Sequence, residues 1–240
     1  MKLIRSIAAM RRASRDCQRR GRTIGLVPTM GYLHDGHLSL IRAARARANV
    51  VVVSIFVNPA QFGPREDFSS YPRDLKRDLA LCREAGAKIV FAPSVAGMYP
   101  EGYSTYVEET RLSRGLCGAS RPGHFRGVAT VVLKLFAIVR PDLAVFGIKD
   151  YQQARVIRKM VEDLNLAVRI FVAPIMREKD GLAMSSRNAY LGPAERTQAL
   201  CLRRALLRAR AMARGGKKDG RKIRAEMERI IRREPSARID

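Results

Sequence analysis

Five short stretches of this chain are almost wholly apolar and rich in β-branched residues: 24–28 (IGLVP), 50–57 (VVVVSIFV), 88–92 (KIVFA), 143–147 (LAVFG) and 168–173 (VRIFVA). They lack the in–out alternation of a sheet with one wet face. They therefore predict strands covered on both faces, as in a parallel sheet. Between them, residues 36–47, 72–85, 127–139 and 150–164 carry apolar positions at helical spacing. Strand and helix in alternation predict an α/β fold with right-handed crossovers. The opening MKLIRSIAAMRRASRDCQRR predicts an amphipathic helix. It has neither the long apolar core nor the cleavage site of a signal peptide. No apolar run approaches the roughly 20 residues that cross a bilayer.

Past residue 190 the pattern changes. "AERTQALCLRRALLRARAMARGG" predicts an amphipathic helix stopped by Gly215 and Gly216. "GRKIRAEMERIIRREP" predicts another, with Ile223, Met227, Ile230 and Ile231 on its apolar face and Pro235 ending it. "ARID" then reads as the beginning of a strand. The fold class expected is α/β: a Rossmann-like doubly wound parallel sheet over residues 1–175, with a second, smaller α+β domain over 176–240.

Ligands on such sheets bind beyond the carboxyl ends of the strands. The unusual polar residues fall there. His34 and His37 follow the first stretch. Asn58, Pro59 and Gln61 follow the second. Lys149, Asp150, Gln152 and Gln153 follow the fourth, and Arg177 to Asn188 follow the last. Core packing needs none of them. The chain has no Walker A loop, no GxGxxG, no HExxH and no GxSxG, so a nucleotide would have to be held by other means.

A helix N-terminus is one such means, since its free N–H groups and dipole favour phosphate. Two of the three histidines, His34 and His37, stand at the start of the 36–47 helix with Gly36 between them. Imidazoles there can donate hydrogen bonds to phosphate oxygens as charge builds in a transition state. Glycine lets a base or phosphate come close to the backbone. The plainer alternative is a capped helix with two exposed histidines.

"PTMGYLHDGHLSL" at 28–40 resembles the HIGH-type signature of nucleotidyl-transferring α/β enzymes, and "MSSRN" at 184–188 resembles their mobile KMSKS-type loop. With "FVNPAQF" at 56–62, "RPGHFRGV" at 121–128 and "FGIKDYQQ" at 146–153, the chain resembles the pantoate–β-alanine ligase family from about residue 3 to 195. The resemblance implies ATP-dependent amide synthesis through a pantoyl adenylate, with ATP as substrate, Mg²⁺ as cofactor, and pantoate and β-alanine as partners. It implies that His34 and His37 contact the ATP phosphates and that Gly36 packs under the adenine. Met30 lines the nucleotide and pantoate site, and Gln61 and Gln153 bind pantoate. Lys149 reaches a phosphate, Gly147 and Asp150 hold the ribose, and Met184, Ser185, Ser186 and Arg187 belong to the ATP site. His34, His37, Lys149 and Arg187 are the catalytic set, and Asp78 is assigned to the metal. His124 and Arg121 read equally as site residues or as loop staples. The family also implies a cytoplasmic homodimer paired through the first domain, and a C-terminal lid domain whose last strand should run on where this chain stops.

Composition changes this picture little. The net charge is +24, but residues 1–22 and 201–240 hold +16 of it, so most lies away from the motifs. The arginines fall on helical spacing beside apolar faces, which predicts a solvated surface. A nucleic-acid partner is not expected: aromatic content is 6% with no Trp, so base-stacking platforms are sparse. A different adenylyl- or cytidylyltransferase on the same sheet is the nearest rival. "FVNPAQF" and the paired Gln152 and Gln153 argue against it, because they stand where an acid-bearing second substrate would lie. The four cysteines are far apart with no CxxC pair, which predicts free thiols.

Overall fold

The computed structural model describes residues 1–64 and 66–239. They divide into two compact units, Met1–Pro174 and Ile175–Asp240. In the first unit the described strands are β1 (Lys2–Ile4), β2 (Ile24–Thr29), β3 (Val50–Ile55), β4 (Ile89–Phe91), β5 (Leu143–Gly147) and β6 (Arg169–Ala173). All pair parallel in one sheet, in the order β1-β4-β3-β2-β5-β6. The main connecting helices are α1 (Ile7–Arg19), α2 (Asp35–Arg45) and α3 (Leu75–Glu84), then α6 (His124–Val139) and α7 (Tyr151–Asp163). Short helices α4 (Val95–Met98) and α5 (Cys117–Ser120) lie between α3 and α6.

Alternate residues of each strand go to opposite faces, and here both faces are dry. Leu26, Val52, Phe91 and Phe146 join Met10 of α1, the apolar face of α6, and Val156 and Met160 of α7 in one core. Val27, Val53, Val90 and Val145 join Leu38 and Ile41 of α2 and Cys82 of α3 in the other. This is why the strands read as continuous apolar runs. The sheet is doubly wound as expected.

The strand order reverses at β2. From β2 the chain steps through β3 to β4 on one side, then crosses to β5 and β6 on the other. Pro28 sharpens that reversal. Ile24 faces β5: its carbonyl accepts from Asp142 N–H at 2.9 Å, and its own N–H donates to Asp142 Oδ2 at 2.7 Å. By alternation residues 26 and 28 face β5 too. Pro28 has no N–H to give, and β2–β5 pairing ends at Leu26↔Ala144, whereas β2–β3 pairing runs on to Thr29↔Ile55. The sheet therefore parts beyond Leu26, at the switch point where ligands of such sheets bind.

Two expectations need correction. The first residues are not all helix: Lys2, Leu3 and Ile4 form edge strand β1 against Ile89, Val90 and Phe91, and α1 begins after Ser6, whose hydroxyl caps it. Three residues are too few for a period to show, and pairing with β4 decides their state. Residues 237–239 of "ARID" form no strand, and Asp240 lies outside the described residues.

The second unit holds α8 (Pro193–Gln198), α9 (Cys201–Arg214) and α10 (Gly220–Ile231), with one isolated antiparallel bridge, Arg177↔Ala183, among its described residues. Met227, expected in the core, is half-buried. Acids on α10 and beyond it take several arginines. Glu226 binds Arg229 and Arg208, which hold its carboxyl down to about 2, and Glu234 pairs with Arg204. Cys17, Cys82, Cys117 and Cys201 are free thiols. Among the described residues no helix is long and apolar enough to cross a membrane.

One glycine fixes how α6 meets the turn after β3. A Cβ on Gly127 would lie 2.0 Å from the Ala60 carbonyl oxygen, which is backbone and cannot step aside cheaply. Gly127→Ala is expected to cost about 3 kcal/mol or more, as overpacking against main chain, read from the urea midpoint.

Candidate active site

Between β2 and α2 the chain must satisfy a run of main-chain N–H groups with no strand partner. Gly31, at φ +86°, donates to Thr29 Oγ1 at 3.3 Å, and that hydroxyl itself donates to Ser54 O at 2.7 Å. Tyr32 N–H donates to Asp78 Oδ2 at 2.8 Å and Leu33 N–H to Asp78 Oδ1 at 2.7 Å. Asp78 is 1% exposed and comes from α3, and Leu33 is fully buried beside it. Burial pushes the Asp78 carboxyl above its ordinary value, against the lowering pull of the Leu33 and Tyr32 N–H groups.

The histidines continue the pattern. His34 is the N-cap of α2, and its Nδ1 accepts from Gly36 N–H at 3.1 Å. His37, at the third helical position, turns back so that its Nδ1 accepts from His34 N–H at 3.3 Å. The result is a capping box built from two imidazoles, with ring centroids 4.1 Å apart. A ring nitrogen that accepts carries no proton, so each ring is neutral with its hydrogen on Nε2. For His37 burial is the main cause, with repulsion from a proton on the His34 ring and from the Lys149 charge opposing a second positive ring, and together they pull its pKa down to about 3. The capped helix of the plainer reading is present, although both rings are half-buried rather than exposed. The rings cap the helix through Nδ1, which leaves Nε2 as the nitrogen that bears the hydrogen.

The turn Pro59–Gln61 after β3 forms the neighbouring wall. Gln61 Nε2 lies 3.2 Å from Met30 Sδ, and Gln61 Oε1 accepts from Asn58 Nδ2 at 3.1 Å. Asn58, 1% exposed, also donates to the Gly127 carbonyl at 3.1 Å. Arg121 and His124 hold this turn from outside. His124 Nδ1 is 2.9 Å from Gln61 O, and Arg121 contacts His124, Gln61 O and the Glu66 carboxylate. The contacts give both the part of loop staples. Met30 also lines a cavity of about 310 Å³, with Gly31, Phe56, Arg73 and Asp78 among its walls.

On the other side of β2, Gly147 ends β5 and Lys149 and Asp150 form a short turn into α7. Lys149 Nζ lies 3.3 Å from Asp150 Oδ1, a half-exposed pair of the kind that holds weakly. Its charge is felt at His37, so the ends of β2 and β5 share one field. Gln152 donates to the carbonyls of Leu112 and Gly115 and accepts from Cys117 N–H, so it shapes that loop. Gln153, half-buried on the first turn of α7, has no such bond among the described residues. Met184, Ser185, Ser186 and Arg187 stand in the second unit. There Ser185 Oγ accepts from Arg187 N–H at 3.3 Å, and Asn188 Nδ2 donates to Glu178 and to the Ala183 carbonyl.

Asp78 does not suit the metal role that the resemblance gave it. Each oxygen already accepts a main-chain N–H. Among the described residues no three His, Cys, Asp or Glu side chains gather to hold an ion. The sequence reading also passed over Asn58 as a site residue, although it stands three positions before Gln61 in the same motif.

A doubly wound α/β sheet, parted at its switch point and carrying two neutral imidazoles on the helix beside it, defines an enzyme of the nucleotide-handling Rossmann-like class. A family model described as pantoate-beta-alanine ligase matches residues 2–240. The pantothenate synthetase of Geobacter sulfurreducens is 59% identical over 240 residues, which is 100% of this chain and 85% of that protein. That of Heliobacterium modesticaldum is 61% identical over the same shares. Among solved structures, pantothenate synthetase from Thermus thermophilus matches with a TM-score of 0.91 at 49% identity, covering 98% of this chain and 83% of that one. The pantoate-beta-alanine ligase of Francisella tularensis, solved in complex with β-γ ATP and β-alanine, gives 0.79 at 39% identity over 83% and 76%. The chain belongs to the pantoate–β-alanine ligase family. Its activity is the ATP-dependent ligation of pantoate to β-alanine.

Asp78→Asn keeps one acceptor but turns an NH₂ toward a main-chain N–H. It should cost about 1–3 kcal/mol, measured by denaturant unfolding. The His37 ring should remain neutral, with its proton on Nε2, at pH 5 in ¹⁵N imidazole spectra, where three histidines make assignment tractable. The sign for stability follows. The unfolded state takes this proton near 6.5 and the folded state near 3, so the stabilisation is whole above pH 6.5 and drains away as pH falls toward 3.

Proposed function

We propose that the ligation runs in two steps and that the loop between β2 and α2 serves the first. A pantoate carboxylate oxygen attacks the α-phosphorus of ATP. The bond from that phosphorus to the bridging oxygen breaks, and pyrophosphate leaves with the electron pair. The product is pantoyl adenylate. The uncharged amine of β-alanine then attacks the acyl carbon, the bond from carbon to the AMP oxygen breaks, and the nitrogen gives up a proton. Pantothenate and AMP result. Neither step needs a covalent nucleophile from the protein, only positioning and charge stabilisation.

The observation that carries this reading is the pair of imidazoles at the N-terminus of α2 whose Nδ1 atoms accept main-chain N–H groups, which leaves each Nε2 to carry the hydrogen. Fixed by main-chain bonds, they need no rearrangement as charge grows on the α-phosphoryl group. Gly36 leaves the backbone open to the nucleotide. Lys149, only weakly held by Asp150, is free to exchange that partner for a phosphate. Gly147 and Asp150 are assigned to the ribose, and Met184, Ser185, Ser186 and Arg187 are the second unit's nucleotide-binding groups. Gln61 and Gln153 bind pantoate, with Met30 beside Gln61. Amides suit an acid that also carries hydroxyls, because they both donate and accept. Mg²⁺ enters only as the counter-ion that ATP brings with it. The enzyme works as a cytoplasmic homodimer, without nucleic acid, and supplies pantothenate for coenzyme A synthesis.

Replacing His34 or His37 by Ala should lower turnover about 10²–10³-fold, with ATP still bound. The assay is pyrophosphate release with pantoate alone and with β-alanine added. Full release by either variant would remove the role given to that ring. Arg208→Ala, on α9, should change release little.

A further inference from the structure

Gln61 can present either end of its amide to pantoate, and the two ends are opposites: one donates, the other accepts. The surrounding bonds decide which. The Gly127 main-chain carbonyl can only accept, so the Asn58 atom 3.1 Å from it must be Nδ2. The same Nδ2 spends its other hydrogen on the Gln61 side chain at 3.1 Å, so the Gln61 atom that meets it must be Oε1. The Nε2 end is left to face Met30 Sδ, a weak acceptor that holds it loosely. Asn58 Oδ1 then points the other way, where the Tyr99 hydroxyl lies 2.7 Å off. An amide oxygen can only accept, so Tyr99 must donate.

We propose that Tyr99 is a positioning residue for pantoate: through Asn58 it fixes the Gln61 amide with its NH₂ end toward the substrate, so that the site reads an acceptor oxygen of the acid. The proposal rests on the reading of Gln61 as a pantoate-binding residue.

Tyr99 is itself held. Its ring stands 4.9 Å from Tyr103, edge to face, and Lys134 Nζ of α6 lies 5.3 Å above Tyr99 and 4.1 Å above Tyr103. Burial pushes the Tyr99 phenol well above its ordinary value, with Tyr103 and Tyr106 adding to the rise, so it stays a donor throughout the working pH range. Without that hydroxyl, Asn58 Oδ1 is a buried acceptor with no donor, which is costly. Asn58 then keeps only its Nδ2 anchors, and any turn or shift that finds Oδ1 a new donor disturbs the Nδ2 bond to Gln61 Oε1, so the Gln61 amide is no longer fixed with its NH₂ end toward pantoate.

The test is steady-state kinetics on Tyr99→Phe, Gln61→Ala and the double variant. Tyr99→Phe keeps the ring and its contacts. It should raise KM for pantoate about tenfold, leaving kcat and KM for ATP within about twofold. The double variant should be no worse for pantoate than Gln61→Ala alone, since both changes act through one amide. If Gln61→Ala raises KM for pantoate but Tyr99→Phe does not, Gln61 keeps its role and the relay is wrong. If the two effects multiply, or if KM for ATP rises equally, Tyr99 acts through general packing and the proposal falls. If Gln61→Ala leaves KM for pantoate unchanged, the reading of Gln61 fails first and takes the relay with it.

Discussion

The structure turns on what becomes of main-chain N–H groups where β2 stops pairing. A strand inside a parallel sheet has its donors satisfied on both sides. Pro28 removes one on the β5 side, and the ladder there ends. From that point to Gly36 the chain runs beside a buried core with donors that water reaches poorly. Those of Gly31, Tyr32, Leu33, His34 and Gly36 find a side chain instead: Thr29, Asp78, His37 and His34 in turn. Leaving such a donor unmet costs as much as a lost hydrogen bond, so these partners are strongly held. The imidazole tautomers follow from that demand. The protein does not place two histidines and then orient them; satisfying the backbone orients them.

The same logic governs the facing wall. Main-chain carbonyls are the fixed points in a network of side chains that could otherwise flip. Gly127 lacks a Cβ, and only for that reason can α6 come this close to the Ala60 backbone and bring the Gly127 carbonyl to Asn58. Two motifs far apart in sequence, "FVNPAQF" and "RPGHFRGV", thus form one object. The second supplies the carbonyl that orients Asn58 and, through Arg121 and His124, the bonds that hold the Gln61 main chain. Neither motif has a reason to exist in this form without the other.

The strands were legible because burial on both faces leaves runs such as VVVV that few other environments tolerate. The loops after them were legible as candidate sites because they carried polar residues that no core requires. The HxGH pair, Gln61 and Lys149 came out of that contrast together with the family resemblance. What escaped had no contrast to offer. β1 is three residues long. Asp78 was named only for a metal through the resemblance; by itself it looks like any acid on the first turn of a helix, and only the fold reveals that it binds the loop after β2 from 45 positions away. Tyr99 reaches Asn58 across 41 positions, and no local pattern announces that distance. The expected strand at "ARID" failed for the opposite reason: four residues can suggest a strand only when a partner strand stands beside them.

The charge of the groups proposed for the first step is the last constraint. The chain carries +24, and its excess of arginine over acid is concentrated at its two ends. The groups proposed for the first step nonetheless set neutral donors, the His37 imidazole and the Gln61 amide, beside the single cation Lys149 at the ends of β2 and β5. ATP arrives with a polyanionic tail, and a ring of cations would grip that ground state as firmly as the transition state. Uniform binding of this kind lowers KM without raising turnover. Neutral N–H groups fixed in place interact weakly with distant charge and strongly with charge that develops at hydrogen-bond distance. On the proposed reading, depression of the His37 pKa to about 3 serves the chemistry as well as the fold. A ring that titrated near 6.5 would alternate between donor and cation in the range where the enzyme must work, and it would lose its cap on α2 whenever it took the proton.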